Sequence, residues 1–262
     1  MRERGQIANV VHVPSESGAK SQMASNVRLS IGLGIARSIE GGTAMHVGGI
    51  GTKKTMVYEA SKLLEHRFQS EIKVSDVAAL CHCSPATIYK RFGSLEYLLY
   101  VASIGFVEDY MQEFKGIQES GKPMFERYLD GWVRFNRYAF RSPDVYVRLF
   151  WGEHSDKFSD AMAEYMELFP QFAEDNDENL FYRVFFTNGD MRQRDFILLS
   201  IAVKQGSLSM REAEFLSITN PVFVESYLRK CRGGTDEEKA QAEEQCNKLI
   251  MQNSQISARA RR

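Results

Sequence analysis

Residues 73–99, KVSDVAALCHCSPATIYKRFGSLEYLL, constrain this chain more than any other stretch. Ser84 followed by Pro85 is a helix start. The serine hydroxyl can accept a backbone N–H of the first turn, and proline at the first helical position lacks an N–H that would have no helical partner there. The helix so opened runs through Thr87, Ile88, Tyr89, Lys90, Arg91 and Phe92; Gly93 stops it, and Ser94 caps a further, long amphipathic helix. Upstream, Ser75 can cap a helix whose apolar positions are Val77, Ala78 and Cys81, and His82-Cys83 then makes the turn. Ile88 and Phe92 should face inward and leave polar and basic groups outside. A short helix of that kind, braced behind by a second one, is the shape that enters a DNA major groove.

This stretch resembles the DNA-binding domain of the TetR (tetracycline-repressor) family of bacterial transcription regulators. The resemblance covers about residues 53–100. It rests on an apolar first helix (Val57, Ala60, Leu63, Leu64, Phe68), then V-x-D-V-A from Val74, S-x-x-T-I-Y-x-x-F from Ser84 and S-x-E-x-L-L from Ser94. Three positions depart from the family pattern. His82 stands where glycine is usual in the turn, and histidine tolerates a left-handed backbone better than most residues. The turn at Gln69-Ser70-Glu71 also lacks the usual glycine, and Leu95 stands where the family often has a phosphate-contacting lysine.

DNA reading needs cations for phosphates and short polar or methyl groups for base edges. Ala86, Thr87 and Lys90 are placed to face the groove, with Ser84, Pro85 and Ser94 at the helix ends. Tyr89 matches the family's phosphate-contacting tyrosine. Lys73, at the start of its helix, adds a charge and free backbone N–H groups. Lys53 and Lys54 are expected to act as a flexible arm. The partner is then a double-stranded DNA operator.

Charge supports this reading mildly. The net charge of −1 conceals an asymmetry: residues 53–100 carry seven Lys or Arg against five Asp or Glu, residues 1–52 five against three, and residues 101–262 21 against 26. The basic excess sits with the proposed reader. Four cysteines in 262 residues are no disulfide framework. Cys81-His82-Cys83 supplies half a zinc site at best, and Cys81 and Cys83 fall where small apolar residues pack the turn. No metal or cofactor is expected.

Residues 1–52 are rich in Gly, Ser and Ala and read as a loose, disordered N-terminal extension. Leu29–Ala36 is too short and glycine-interrupted for a secretory signal, and no apolar run approaches the roughly 20 residues of a membrane helix, so a cytoplasmic protein without a membrane partner is expected. Glu40-Gly41-Gly42-Thr43 suits a purine-rich, ribosome-binding codon run, which would make Met45 the true start; the gene's nucleotide sequence tests this.

Beyond residue 94 the pattern is helix upon helix, and no run alternates long enough for a sheet. One long helix is expected over about 95–118, broken by Gly121-Lys122-Pro123. Further helices follow over 125–139, from Ser142-Pro143 to Trp151, and from Phe158 to Pro170. An acidic linker (Glu174, Asp175, Asp177, Glu178) and an unassigned apolar run, Phe181–Phe186, come next. Helices then span about 191–205, 209–229 (with a kink at Pro221) and 235–252, ahead of a basic tail. The fold class is therefore all-α: an N-terminal three-helix HTH DNA-binding domain (53–100) joined to a larger helical effector-binding and dimerisation domain (101–230), then a C-terminal helix and tail (231–262).

The resemblance implies a homodimer on two half-sites, its interface built by the last two large helices. Here these carry Phe196, Leu199, Val203, Phe215, Val222 and Phe223. It also implies an effector pocket among the aromatic middle helices: Phe114, Tyr128, Trp132, Phe135, Tyr146, Phe150, Trp151 and Tyr165, with Phe158 among them. Arg148 and His154 are candidates to orient an anionic ligand, against a plain surface or paired role. Catalytic motifs are lacking: there is no Gly-x-Ser-x-Gly, no His-Glu-x-x-His and no phosphate-binding glycine loop, Gly32-Leu33-Gly34 being isolated. The expected function is a ligand-responsive dimeric repressor released from a palindromic operator by a small-molecule effector. The alternative is a module of the same fold that acts through a protein partner or binds DNA without a small ligand.

Overall fold

The structure, a computed structural model, describes residues 52–170 and 188–259, with side chains described as far as residue 255. All regular structure among the described residues is helical. In chain order it comprises α1 (Lys53–His66), a 3₁₀ turn (Gln69–Glu71), α2 (Val74–Leu80), α3 (Pro85–Phe92) and α4 (Leu95–Ser103). A 3₁₀ segment (Ile104–Val107) leads to α5 (Glu108–Glu119), α6 (Met124–Ala139) and α7 (Pro143–Trp151). A 3₁₀ turn (Ser155–Lys157) precedes α8 (Phe158–Leu168), and α9 (Met191–Lys204), α10 (Met210–Cys231) and α11 (Asp236–Arg259) complete it. The acidic linker, the run Phe181–Phe186 and residues 1–51 lie outside the described residues.

Caps set most of the boundaries. Thr52, placed by sequence in the loose extension, is the N-cap of α1: its hydroxyl accepts the Thr55 N–H at 3.1 Å. Ser94 caps α4 through the Tyr97 N–H, and Ser209 with Glu212 forms a reciprocal box at the start of α10. Thr235 and Glu238 form a second such box before α11. Ser75 is not the cap of α2. That role falls to Lys73, whose backbone N–H donates to the Asp76 carboxylate at 3.1 Å.

Two helices differ from their expected course. The single helix over 95–118 is interrupted at Ile104–Val107. There the Phe106 carbonyl accepts the Tyr146 hydroxyl at 2.9 Å, and the Ser103 hydroxyl bonds back to Leu99 O at 2.7 Å. An apolar period cannot register such a break, because every residue from Leu98 to Val107 is buried. The last helix continues to Arg259 rather than stopping near Gln252. It is held by Cys246, Ile250, Asn253 and Ser254, buried where α11 packs on α6 and α10. α10 runs on across Pro221.

α1, α2 and α3 close around Val57, Ala60, Val77, Ala78 and Ile88, none more than 3% exposed. α4 packs on α1 at its beginning and on α7 and α8 further along, so one continuous core joins the small unit to the large one. A buried polar chain ties the large unit together. The Asp195 carboxylate accepts from Tyr128 OH (2.6 Å) and Trp132 Nε1 (3.1 Å). Asn220 Nδ2 donates to the Tyr128 oxygen (3.0 Å), and Asn253 Nδ2 donates to Asn220 Oδ1 (3.0 Å) and Thr219 Oγ1 (2.8 Å).

Candidate functional site

The helix-turn-helix is assembled by backbone chemistry around residues 81–84. The Cys81 N–H donates to Val77 O and the Cys83 N–H to Ala78 O, closing α2. Between them His82 takes φ 47°, and no other non-glycine among the described residues has a positive φ. This is the position where the family pattern has glycine. Cys81 is buried beneath the turn, and burial raises its thiol to about 12. An unionised, buried thiol packs; it does not react. Ser84 then caps α3 by accepting the Thr87 N–H at 3.3 Å, with Pro85 at the first helical position.

α3 divides by face. Ile88 and Phe92 are buried, while Ser84, Pro85, Ala86, Tyr89, Lys90 and Arg91 are exposed and Thr87 is half-buried. Tyr89 is 48% exposed, a large amphipathic ring held in solvent. Arg91 joins this surface; the sequence reading named it as part of the helix and assigned it no role. Ser94 is half-buried and serves as a cap. Lys73 is exposed at the start of α2, yet its backbone N–H is already taken by Asp76, so only its side chain is available.

Lys53 and Lys54 are not an arm. Both lie in the first turn of α1 and reach back to α8: Lys53 Nζ pairs with Glu164 at 2.6 Å and lies over the Phe92 ring, and Lys54 Nζ lies over the Phe169 ring at 5.1 Å. The adjacent α8 carboxylate supplies a partner that a sequence-local reading cannot see.

The aromatic residues expected to line a pocket mostly pack on one another. Trp132, Tyr146 and Phe150 surround Phe135 with centroids 5.3–5.4 Å away, Tyr110 completes the set, and Phe150 packs on Phe158. The space left beside Phe114, Tyr128, Trp132 and Phe135 is about 30 Å³. Gly131 admits the Phe114 ring, since a Cβ there would stand 2.4 Å from Phe114 Cε2. Arg194 and Asp195 border this space. Arg194 lies over the Phe150 and Phe158 rings, and burial lowers it to about 9. Burial drives the Asp195 carboxyl well up, against the hydrogen bonds from Tyr128 and Trp132 and the charge of Arg194, which pull it down. Tyr165 stacks on Phe169 instead. Trp151 packs edge-on against Phe150 at 6.0 Å and also lines a separate groove of about 810 Å³ between the small and large units, together with Arg148 and His154.

Of the residues expected at a dimer interface, Leu199 is fully buried and belongs to the core. Phe196, Val203 and Phe223 are half-buried, and Phe215 and Val222 are exposed. Ile218 and Ile197, which sequence reasoning passed over, are also exposed, so Phe215, Ile218 and Val222 form a stripe along α10.

The fold defines the class: an all-α protein with an N-terminal helix-turn-helix. In overall structure the chain is similar to TetR transcriptional regulators. The Thermus thermophilus repressor FadR, solved with lauroyl-CoA, is 14% identical (TM-score 0.48; 77% of this chain and 94% of that one). A transcriptional regulator from Cytophaga hutchinsonii is 11% identical (TM-score 0.48; 77% and 95%), and a TetR regulator from Streptomyces coelicolor 14% (TM-score 0.39; 76% and 96%). No protein-family model and no curated protein matches the chain. No helix among the described residues is long and apolar enough to cross a membrane.

Proposed function

We propose that this chain is a DNA-binding transcriptional regulator of the TetR type, a dimeric repressor that reads a palindromic operator with α3 and leaves it when a small effector binds. The surface of α3 carries the reading: Ala86, Tyr89, Lys90 and Arg91 project from a helix anchored by Ile88 and Phe92, on a turn closed through left-handed His82. Tyr89 and the two cations suit phosphates, and Ala86 and Thr87 suit a thymine methyl. The exposed apolar stripe of α10 supports pairing with a second copy. α4 begins in the reading head and ends in the large unit, so a change in helix packing there would alter the spacing of the two heads.

The closeness of the aromatic cluster favours a second reading, in which DNA is bound without an effector in that cluster: about 30 Å³ holds one water. The domain limits expected from sequence (53–100 and 101–230) stand as part of the proposal.

The test is binding of the full chain to DNA from around its own gene, against a random duplex of equal length, at two salt concentrations. Selective, salt-sensitive binding is expected. Tyr89→Ala should weaken it about tenfold, as loss of a charge-assisted phosphate contact does, with the dimer intact. Equal weak binding to both duplexes would refute the reading, and a dimer that falls apart would make Tyr89 a scaffold residue.

A further inference from the structure

We infer that the groove between the helix-turn-helix unit and the larger unit binds an amphipathic anion, its acid group at Arg148 of α7 and at Arg229 and Arg232 at the end of α10, and its apolar body against Trp151 and Phe68. The groove encloses about 810 Å³, within the range that holds small molecules. Its two walls belong to different units. Phe68, Ile72, Leu95 and Leu99 come from the reading head and the start of α4; Val147 and Trp151 come from α7. Phe68 stands 43% exposed on the groove, a large apolar ring for which water is the poorer neighbour.

The charge arrangement selects the head group. Arg148, its side chain 10% exposed, donates to Asp144 Oδ2 (3.0 Å) and Ser103 Oγ (3.2 Å). Arg232 donates to the other oxygen of the same carboxylate. One carboxylate between two guanidiniums leaves a positive charge uncompensated. Burial, with Arg232 nearby, lowers Arg148 to about 10 despite Asp144. Arg229 brings a third guanidinium, held to Glu225 at 2.9 Å and to the Trp151 carbonyl at 3.3 Å. Arg229 and Arg232 are nearly half exposed, so each presents part of its guanidinium to the groove while keeping its carboxylate partner. Glu96 and Glu153 also line the groove, so an anion is favoured only where the arginines reach. The polar aromatic edge is His154, packed edge-on against Tyr100 at 6.0 Å.

A ligand touching both walls would fix the reading head against the large unit. That consequence rests on the DNA reading proposed above; the site itself does not.

The experiment uses the full chain without DNA, with anilinonaphthalene sulfonate as the anionic probe and N-phenyl-1-naphthylamine as its neutral counterpart. Saturable energy transfer to the sulfonate is expected, with the Trp151 component missing in Trp151→Phe. Arg229→Gln/Arg232→Gln should weaken the sulfonate about tenfold or more, the scale of losing charge-assisted bonds, and leave the neutral dye unchanged. Hydrogen exchange on the unmutated chain locates the probe whether or not the double variant folds. Protection should appear at residues 68–72 and 147–154. Protection confined to the α10 stripe or the aromatic cluster, or equal affinities for both dyes in both proteins, would overturn the inference.

Discussion

His82 shows how a single backbone angle connects sequence to function. Its φ of 47° is a conformation that glycine adopts freely and a Cβ-bearing residue adopts at a cost. Histidine satisfies the turn geometry, so α3 is still presented. His82→Gly should therefore raise stability by about 0.5–1 kcal/mol, and His82→Val should lower it by at least about 1 kcal/mol; thermal unfolding measures both. Glu108 is a second residue set by its surroundings. It opens α5, is only 7% exposed, and has one carboxylate oxygen without a hydrogen-bond partner. Burial, then the neighbouring charge of Asp109, raise it from 4.5 to about 7. The folded chain thus holds this proton more tightly than the unfolded chain. The associated stability is complete below about pH 4.5 and is lost as pH rises through about 7. Relative to the parent, Glu108→Gln should gain nothing near pH 4 and on the order of 2 kcal/mol by pH 8, read from urea midpoints across that range. A pH-independent difference would show that the side chain ionises without penalty.

Among the elements, α6, α9, α10 and α11 are joined by more than apolar contact. Tyr128 stands at the centre of their polar chain: its hydroxyl donates to Asp195 and accepts from Asn220, and Asn220 accepts from Asn253. Tyr128→Phe keeps the ring but strips a donor from a buried carboxyl and an acceptor from a buried amide. A loss of about 2–3 kcal/mol is expected in chemical denaturation, with the helical content of the native state retained. An unchanged midpoint would mean that water takes over both bonds. The break between α4 and α5 belongs to this scale too. It is made by Tyr146 reaching from α7 to the Phe106 carbonyl, a contact 40 positions distant in sequence. Local periodicity reads Leu98–Phe114 as one helix because the apolar stripe continues through the break.

At the scale of the whole molecule, the exposed apolar surface of α10 is where the proposed dimer would form. Phe215, Ile218 and Val222 are 45%, 43% and 55% exposed and lie on one face, with Ile197 of α9 also exposed. Burying such a stripe against its own symmetry mate is the simplest closed arrangement. Val222→Glu should convert the proposed dimer to monomer at micromolar concentration in sedimentation, with helical content unchanged, because a carboxylate at a buried apolar contact carries a desolvation penalty. A dimer that survives both Val222→Glu and Phe215→Glu would place the interface elsewhere. Of the residues that the sequence offers for such an interface, Leu199 is fully buried in the core of this chain and is not on the surface for a partner to meet. Both faces of α9 carry apolar side chains, and only the packing of α10 against one of them separates core from surface.

The sequence by itself determined the elements whose signals are local. The caps at Ser84, Ser94, Ser209 and Thr235, the stop at Gly93 and the inward Ile88 and Phe92 all depend on hydrogen bonds or spacings within a few residues. Tertiary structure alone decided where Lys53 and Lys54 point, which aromatic residues close on one another, and that Trp151 shares a groove with Arg148 and Arg232. Those outcomes depend on which helix faces which. That is settled by the burial of a whole core, whose energy is summed over contacts between residues far apart in the chain and leaves no local trace at any one of them.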